Sequence, residues 1–263
     1  MCVVCGCICL CEIYTYKFKK GDGLLFTFSK KSTLINANWF VQDGNNYFKD
    51  EGGEKLLALY LNLQRFIRYD QFSFKEDMFY FTSVQQIYKT INEYGRVADV
   101  DTIFNLLKKL DKLSIIKIVS HPNFDTKYKS NLPNKELLII QDLDYMRSRF
   151  YMQVPLDVVK YMLDNKLTYK HVALHLLMNK WTNNTEEKCF VSVNKLSDWI
   201  GYSNKSILKY YSDMNKLGVM ASYKRRDKEG HTKYEHYLLR TMDDFGEFNE
   251  VHKSEMKKFI IND

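Results

Sequence analysis

Residues 192–240 concentrate the side chains of this sequence that can bind a polyanion. The stretch holds ten lysines and arginines against five aspartates and glutamates, a net charge of +5, whereas residues 241–263 carry a net charge of −3. A basic block followed by an acidic tail is typical of a surface that binds nucleic acid through its phosphates. The alternative is a well-solvated surface encoded by an AT-rich genome, which favours lysine, asparagine, tyrosine and isoleucine codons.

Five of the six cysteines lie within the first eleven residues, and their thiols are a second candidate for chemistry. A zinc site needs four ligands that converge in space, but this cluster has neither a second half nor a nearby histidine. The stretch also lacks the basic start of a secretory signal. We expect residues 1–33 to be a poorly ordered or misassigned leader. Adventitious metal binding by the thiolates and lipidation of the thiols are the alternatives.

Motifs for catalysis or for a metal are weak in the rest of the chain. His171 and His175 are spaced i, i+4, but the glutamate of the zinc-protease pattern is missing between them, and amphipathic helix positions explain both histidines better. The sequence has no Walker-type phosphate loop and no Gly-x-Gly-x-x-Gly motif after a strand. We therefore expect no cofactor and no metal, and we predict that the protein is not an enzyme.

Three segments recur in the same order, which indicates two copies of one unit within the 263 residues. Their offsets are 115, 109 and 104 residues, and they shrink because loops vary in length more readily than helices do. In the middle pair each segment begins with a serine that can cap a helix. The matching pairs are residues 57–66 with 172–181, 83–87 with 192–196, and 103–116 with 207–220.

The sequence of each copy predicts three helices followed by a β-hairpin. A strand-like segment precedes the first helix of each copy, at residues 34–37 and at residues 151–155. Gly201 and Gly218 end the second and third helices of the second copy, because glycine adopts the left-handed conformation there. Ser203 or Asn204 caps that third helix. In the first copy the predicted helices are 53–68, 83–94 and 99–113, and the strands are 115–119 and 136–140. In the second copy the helices are 170–181, 193–200 and 203–217, a short extended segment spans 189–192, and the strands are 219–224 and 233–239.

This order of elements resembles the winged helix-turn-helix fold. Leu196-Ser-Asp-Trp-Ile-Gly201-Tyr-Ser-Asn-Lys-Ser-Ile207 resembles the turn of such proteins, and Met214-Asn-Lys-Leu-Gly218-Val219 resembles their junction between third helix and wing. The resemblance implies an α+β, mainly α fold with two tandem winged helix-turn-helix domains. The predicted divisions are a leader (1–33), a first domain (34–140), a second domain (141–240) and an acidic tail (241–263).

The third helix of a helix-turn-helix protein lies in the major groove, and the wing contacts a neighbouring groove or the backbone. The first copy begins this helix with Asp99 and Asp101, whose carboxylates would repel phosphate, so we expect it to assist through Lys127 and Lys129 or to mediate self-association. The second copy offers short polar and basic side chains at both places. The resemblance predicts DNA binding by Ser203, Asn204, Lys205, Ser206, Lys209 and Tyr210 at the start or on the outer face of the third helix, and by Lys224, Arg225, Arg226, Lys228, His231 and Lys233 on the wing.

Tandem winged helices in a small basic protein resemble plasmid and phage replication initiators of the Rep type, and also DnaD-like primosomal proteins. The resemblance implies sequence-specific binding of double-stranded DNA by a cytoplasmic protein, with a homodimer through the first domain as a further expectation. No apolar run approaches the ~20 residues of a transmembrane helix, so we expect no membrane partner. The alternatives are a winged-helix transcriptional regulator and a protein-interaction module that does not bind DNA.

Overall fold

Helices and antiparallel strands alternate in two similar series in the computed structural model, which describes residues 32–36, 47–50, 53–69, 78–120, 138–142, 151–182, 188–226 and 232–258. The fold is α+β and mainly helical, as the sequence predicts. The predicted cysteine-rich leader and the basic loop around Lys127 and Lys129 lie outside the described residues.

The first series contains four helices and five strands among the described residues. A short 3₁₀ turn, Gln64–Phe66, connects the second helix to the second strand. The elements are β1 (Ser32–Asn36), α1 (Tyr47–Asp50), α2 (Gly53–Leu63), β2 (Ile67–Tyr69), β3 (Met78–Thr82), α3 (Val84–Ile91), α4 (Val100–Lys112), β4 (Ile116–Ser120) and β5 (Leu138–Asp142).

The second series repeats this order and adds a helix at its end. That last helix is preceded by a 3₁₀ turn, Met242–Asp244. The elements are β6 (Tyr151–Pro155), α5 (Leu156–Asp164), α6 (Tyr169–Lys180), β7 (Lys188–Cys189), α7 (Val193–Ile200), α8 (Asn204–Leu217), β8 (Met220–Arg226), β9 (Thr232–Leu238) and α9 (Phe245–Lys258).

The predicted helices and hairpins of both copies are confirmed, but two helices of the first copy end earlier than predicted: α3 ends at Ile91 instead of residue 94, and α2 also ends early. The sequence predicts that the first helix runs from residue 53 to 68, but α2 ends at Leu63, and Ile67 and Arg68 belong to β2. These residues pair with β3 instead, Ile67 opposite Tyr80 and Arg68 opposite Phe79. The helix pattern is overridden because two neighbouring segments rich in β-branched and aromatic residues form a hairpin.

The strands form two sheets with the same core arrangement. In the first copy the order is β2-β3-β5-β4, and in the second it is β7-β9-β8, with every pair antiparallel. A single bridge joins Thr182 to Cys189 in the second copy. It lies where Ile67 pairs with Tyr80 in the first copy, at the repeat offsets of 115 and 109 residues. The second copy therefore keeps a trace of the extra edge strand.

Both copies start their second helix in the predicted way. The Ser83 hydroxyl accepts a hydrogen bond from the Gln86 N–H at 3.2 Å, and the Ser192 hydroxyl accepts one from the Lys195 N–H at 3.4 Å. Each bond satisfies a backbone donor that the helix itself leaves without an acceptor. The serine caps predicted from the repeat are thus confirmed in both copies.

The two third helices also end alike. Ser114 and Gly218, which are 104 residues apart, both have left-handed backbones, with φ of 57° and 79°. The residues that follow, Ile115 and Val219, donate their N–H groups to the carbonyl five residues earlier, at 3.0 and 3.2 Å. This is the Schellman arrangement, and it turns the chain from the helix into the hairpin.

One side-chain bond fixes the angle between helix and hairpin in each copy. Asp111 Oδ1 accepts a hydrogen bond from the Ile118 N–H at 3.0 Å, and Asn215 Oδ1 accepts one from the Ser222 N–H at 2.9 Å. Both pairs are again separated by 104 residues. The repeat predicted from the sequence therefore extends to the hydrogen bonds of its junctions.

The two copies share one hydrophobic core. Helices α2 and α6, the first helix of each copy, pack against each other and are buried on nearly all sides. A helix buried all round needs apolar residues all round, which explains why these two segments show little polar face. Strands β1 and β6 also pair with each other, Leu34 opposite Gln153, so equivalent strands of the two copies meet antiparallel.

Helix α9 covers the outer face of the β8–β9 hairpin. The sequence predicts only an acidic tail where this helix lies. His252 inserts its ring between Tyr223, Tyr237 and Phe248, and its Nδ1 lies 2.6 Å from the Tyr223 hydroxyl. Asn249 Nδ2 donates to the Gly218 carbonyl at 3.3 Å. Helix α9 is therefore attached directly to the end of α8.

Candidate nucleic-acid interface

The start of α8 is an ordered and exposed surface. Gly201 ends α7 with φ of 78°, and the Ser197 hydroxyl holds the turn by donating to the Tyr202 carbonyl at 2.6 Å. Ser203 caps α8 and accepts from the Ser206 N–H at 3.2 Å. The predicted residues Ser203, Asn204 and Lys205 are all exposed there. The side chains at the start of α8 are thus exposed on a turn of fixed geometry.

Helix α7 adds polar groups that the sequence analysis missed. Asn204 Nδ2 donates to Asn194 Oδ1 at 2.8 Å, which places the first turns of α7 and α8 side by side. Asn194 and Lys195 are exposed. The sequence signal for these two residues is their position in the first turn after the Ser192 cap. The first turn of the second helix lies next to the turn that precedes the third helix, so its residues belong to the same surface.

Two further predicted residues of α8 have different surroundings. Lys209 is exposed and lies one helical turn after Lys205, so it extends the basic surface. Tyr210 is half-buried, with its ring centroid 4.5 Å from that of His171 and 5.7 Å from that of Tyr202. The prediction that Tyr210 lies on the outer face of the helix is therefore wrong, because its ring packs towards α6.

The β8–β9 hairpin brings three of the predicted cations to adjacent positions. Lys224, Arg225 and Lys233 are exposed, and Arg225 stands directly opposite Lys233 in the register of the two strands. Arg225 Nε also lies 3.1 Å from a carboxylate oxygen of Glu235. Like charges directly opposite each other destabilise a sheet. Arg226 ends β8, whereas its side chain and the residues Lys228 and His231 lie outside the described part of the chain.

A buried polar network holds this hairpin against α8. Asn215 Nδ2 donates to the Ser222 hydroxyl at 2.9 Å, and that hydroxyl lies 2.9 Å from His236 Nδ1. Burial lowers the pKa of His236 to about 3, so the ring is neutral. Its Nδ1 can then accept a hydrogen bond from the serine hydroxyl. Because all three groups are buried, the network fixes the hairpin angle relative to α8.

The histidine pair considered for a metal has structural roles. His171 Nδ1 accepts from the Thr168 N–H at 3.1 Å, and its Nε2 lies 3.2 Å from an Asp213 carboxylate oxygen. Burial lowers the pKa of His171, against the raising effect of Asp213. His175 is fully buried and its pKa is lowered to about 4. Within the described ranges, no group of three or more histidine, cysteine, aspartate or glutamate side chains could hold a metal ion.

A cleft of about 950 Å³ lies between α8 and the turn that precedes α4 of the first copy. The α8 wall includes Lys209 and Tyr210, and the opposite wall includes Arg96 and Asp99. Asp99 caps α4, where its carboxylate accepts from the Thr102 N–H at 2.7 Å, and hydrogen bonds from the side chain and then the backbone of Thr102 lower the pKa of Asp99. The acidic start of α4 therefore faces the basic flank of α8 across the cleft.

None of the helices in the described ranges combines the length and the apolar character needed to cross a bilayer. Comparisons of the chain with protein-family models, with curated proteins and with solved structures found no match. The function must therefore be inferred from the arrangement of the side chains.

Proposed function

We propose that this protein binds double-stranded DNA in a sequence-specific way through its second copy, as a tandem winged helix-turn-helix protein. Helix α8 is the reading helix of this proposal, and the β8–β9 hairpin is its wing. The observation that carries the proposal is the exposed first turn of α8, flanked by the first turn of α7 and by a basic hairpin. A helix of this kind fits the major groove, with short side chains at its N-terminus facing the base edges.

The side chains divide into two tasks. Asn204 uses one amide hydrogen on Asn194, which leaves its carbonyl oxygen and second hydrogen for an adenine edge. Lys205, Lys195, Lys224 and Arg225 are exposed cations suited to phosphates, which supply affinity without sequence information. The first copy positions the second, because α2 packs against α6 directly behind this surface.

Within this proposal we favour a replication initiator of the plasmid or phage type over an operator-binding regulator. One chain already contains two units joined through α2, α6 and the β1–β6 pair. The expected self-association through the first copy cannot use α2, which is buried against α6. A protein of this form can occupy direct repeats singly, whereas an operator regulator reads an inverted repeat as a symmetric dimer. In this proposal the protein binds DNA without catalysing a reaction.

The test is capture of genomic fragments by the full chain, followed by sequencing. We expect enrichment of short recurring sites in direct repeats at physiological salt. Enrichment of single inverted repeats beside promoters would replace the initiator with a regulator. No enrichment above that of a charge-reversed variant, Lys205→Glu/Arg225→Glu, would overturn DNA binding and favour a protein-interaction module.

A further inference from the structure

Four lysine and arginine side chains and three carboxylates line the cleft between the copies, so the lining carries one net positive charge. Two of its three carboxylates, Asp99 and Asp213, have a hydrogen-bond partner, whereas the buried Oε2 of Glu54 has none and is only at ion-pair distance from Lys170. Asp99 accepts from the Thr102 N–H at 2.7 Å, Asp213 lies 3.2 Å from His171 Nε2, and Glu54 lies 4.0 Å from the Lys170 amine. Arg96 and Lys55 also favour the charged form of Asp99, so the excess of cations in the lining amounts to a single charge.

Three of the four cations that line the cleft make no salt bridge in the part of the chain that the structure describes. Lys55 and Arg96 belong to the first copy, Lys209 belongs to the second, and all three are exposed. Exposed cations held on facing walls repel one another, and an anion placed between them removes that repulsion. The cavity of about 950 Å³ is large enough for one or more phosphate groups together with the groups bonded to them.

The surrounding backbone adds to the same field. Residues from the first turns of four helices line the cleft, namely Glu54 of α2, Thr102 of α4, Lys170 of α6 and Ser206 of α8. The positive ends of their dipoles therefore lie near one space, where they favour negative charge. Tyr94 and Tyr210 contribute aromatic surface on opposite walls.

We propose that this cleft binds phosphate groups between the two copies, with Lys55 and Arg96 contributed by the first copy and Lys209 by the second. Two sources share this chemistry: the backbone of a DNA duplex bound on α8, and a free nucleotide. For the duplex the inference rests on the proposed function, whereas for a free nucleotide it does not. In both cases the first copy, whose helix start is acidic, takes part in anion binding through its turn.

The experiment compares the full-length wild type with Lys55→Ala/Arg96→Ala and with a matched control, Lys89→Ala/Lys112→Ala. The control removes the same charge from exposed lysines that do not line the cleft. Binding of a 30-base-pair duplex is followed by fluorescence anisotropy over a salt series, and binding of dATP by calorimetry. Circular dichroism verifies that each variant is folded, and Arg96→Lys tests whether charge alone restores binding.

If duplex phosphates occupy the cleft, the cleft variant should bind DNA about tenfold more weakly than the control, with a salt slope reduced by about two. If a free nucleotide is the ligand, dATP binding should be lost in the cleft variant and kept in the control. Equal behaviour of both variants toward both probes would overturn the proposal. A wild type that binds dATP but no duplex would support the cleft site and contradict the proposed DNA binding.

Discussion

The opposition of Arg225 and Lys233 shows what single residues contribute to this surface. Strand pairing places the two cations face to face, and a carboxylate oxygen of Glu235 lies 3.1 Å from Arg225 Nε. An exposed ion pair of this kind contributes about 1 kcal/mol or less. The hairpin keeps an arrangement that favours a phosphate at a small cost in stability.

Replacing Arg225 and Arg226 by alanine should therefore weaken DNA binding and flatten its salt dependence by about two in slope. The fold should keep its stability, because one repulsive pair is removed together with one surface ion pair. Anisotropy titrations across a salt series measure both quantities. Lys253→Ala/Lys257→Ala, which removes equal charge from exposed positions on α9, is the control. Equal losses in both variants would exclude the hairpin as the site of contact.

Buried histidines make the stability of the second copy depend on pH. The pKa of His236 is lowered to about 3, below the ordinary value of 6.5, because burial disfavours the charged ring. The unfolded chain therefore binds more protons between these values. The stabilisation is complete above about pH 6.5 and is lost as the pH falls towards 3.

The free energy of unfolding should fall by about 2 kcal/mol for His236 between pH 7 and pH 5. Urea denaturation at the two pH values measures it. His236→Asn keeps an acceptor near Ser222 and should show a smaller difference between the two pH values. An unchanged pH dependence in this variant would mean that His236 is not held neutral by burial.

At the scale of elements, the packing of helix α9 explains why the third helix of the first copy and that of the second end on different residues. Both ends are left-handed, but the first copy uses Ser114 and the second uses Gly218. A Cβ atom on Gly218 would lie 2.2 Å from Asn249 Oδ1, whose side chain is held by α9. Glycine is therefore required at residue 218 by the docked helix as well as by the backbone conformation.

Gly218→Ala should destabilise the protein by about 2–3 kcal/mol, since backbone strain and the collision with Asn249 add together. Gly201→Ala is the matched control. Its φ of 78° is nearly the same, but the nearest atom to the added Cβ is 3.9 Å away, so it should cost about 1 kcal/mol. Denaturation midpoints compare the two variants. Equal losses would contradict the docking of α9 on the end of α8.

At the scale of the whole molecule, the shared core makes the two copies one folding unit. Leu59 on α2 is fully buried in the core that α6 completes, and removing its side chain should cost about 2–5 kcal/mol. In a Trp39→Phe background, fluorescence reports Trp181 and Trp199, which both belong to the second copy. Leu59→Ala should shift this signal and the circular dichroism transition together. Separate transitions would mean that the copies unfold independently.

The extent to which the sequence predicts this molecule depends on whether a signal is local. Ser83 and Ser192, as well as Gly201 and Gly218, mark helix ends through neighbouring backbone groups, so the pattern was sufficient for them. The early end of α2 depends on pairing with β3, which comes later in the chain. Such a contact leaves no mark in a helical periodicity.

The same distinction applies to the candidate site. The predicted turn accounts for the exposure of the residues from Ser203 to Lys205. These residues lie at the start of the third helix, as the repeat predicts. The surroundings of Tyr210 come from α6, and Arg96 comes close to α8 only through the packing of the two copies, so neither position leaves a local signal in the sequence. Helix α9 was missed because its apolar residues are few and gain their value only against β8.

The most direct test of the central claim is the affinity of the captured duplex for variants of the two third helices. Asn204→Ala/Lys205→Ala changes exposed residues of α8, and Asn105→Ala/Lys112→Ala changes exposed residues of α4 in the same way. We predict that the first variant loses at least about tenfold in affinity and most of its preference over a scrambled duplex, while the second keeps both. Equal affinity and preference in the two variants would contradict recognition of DNA by α8.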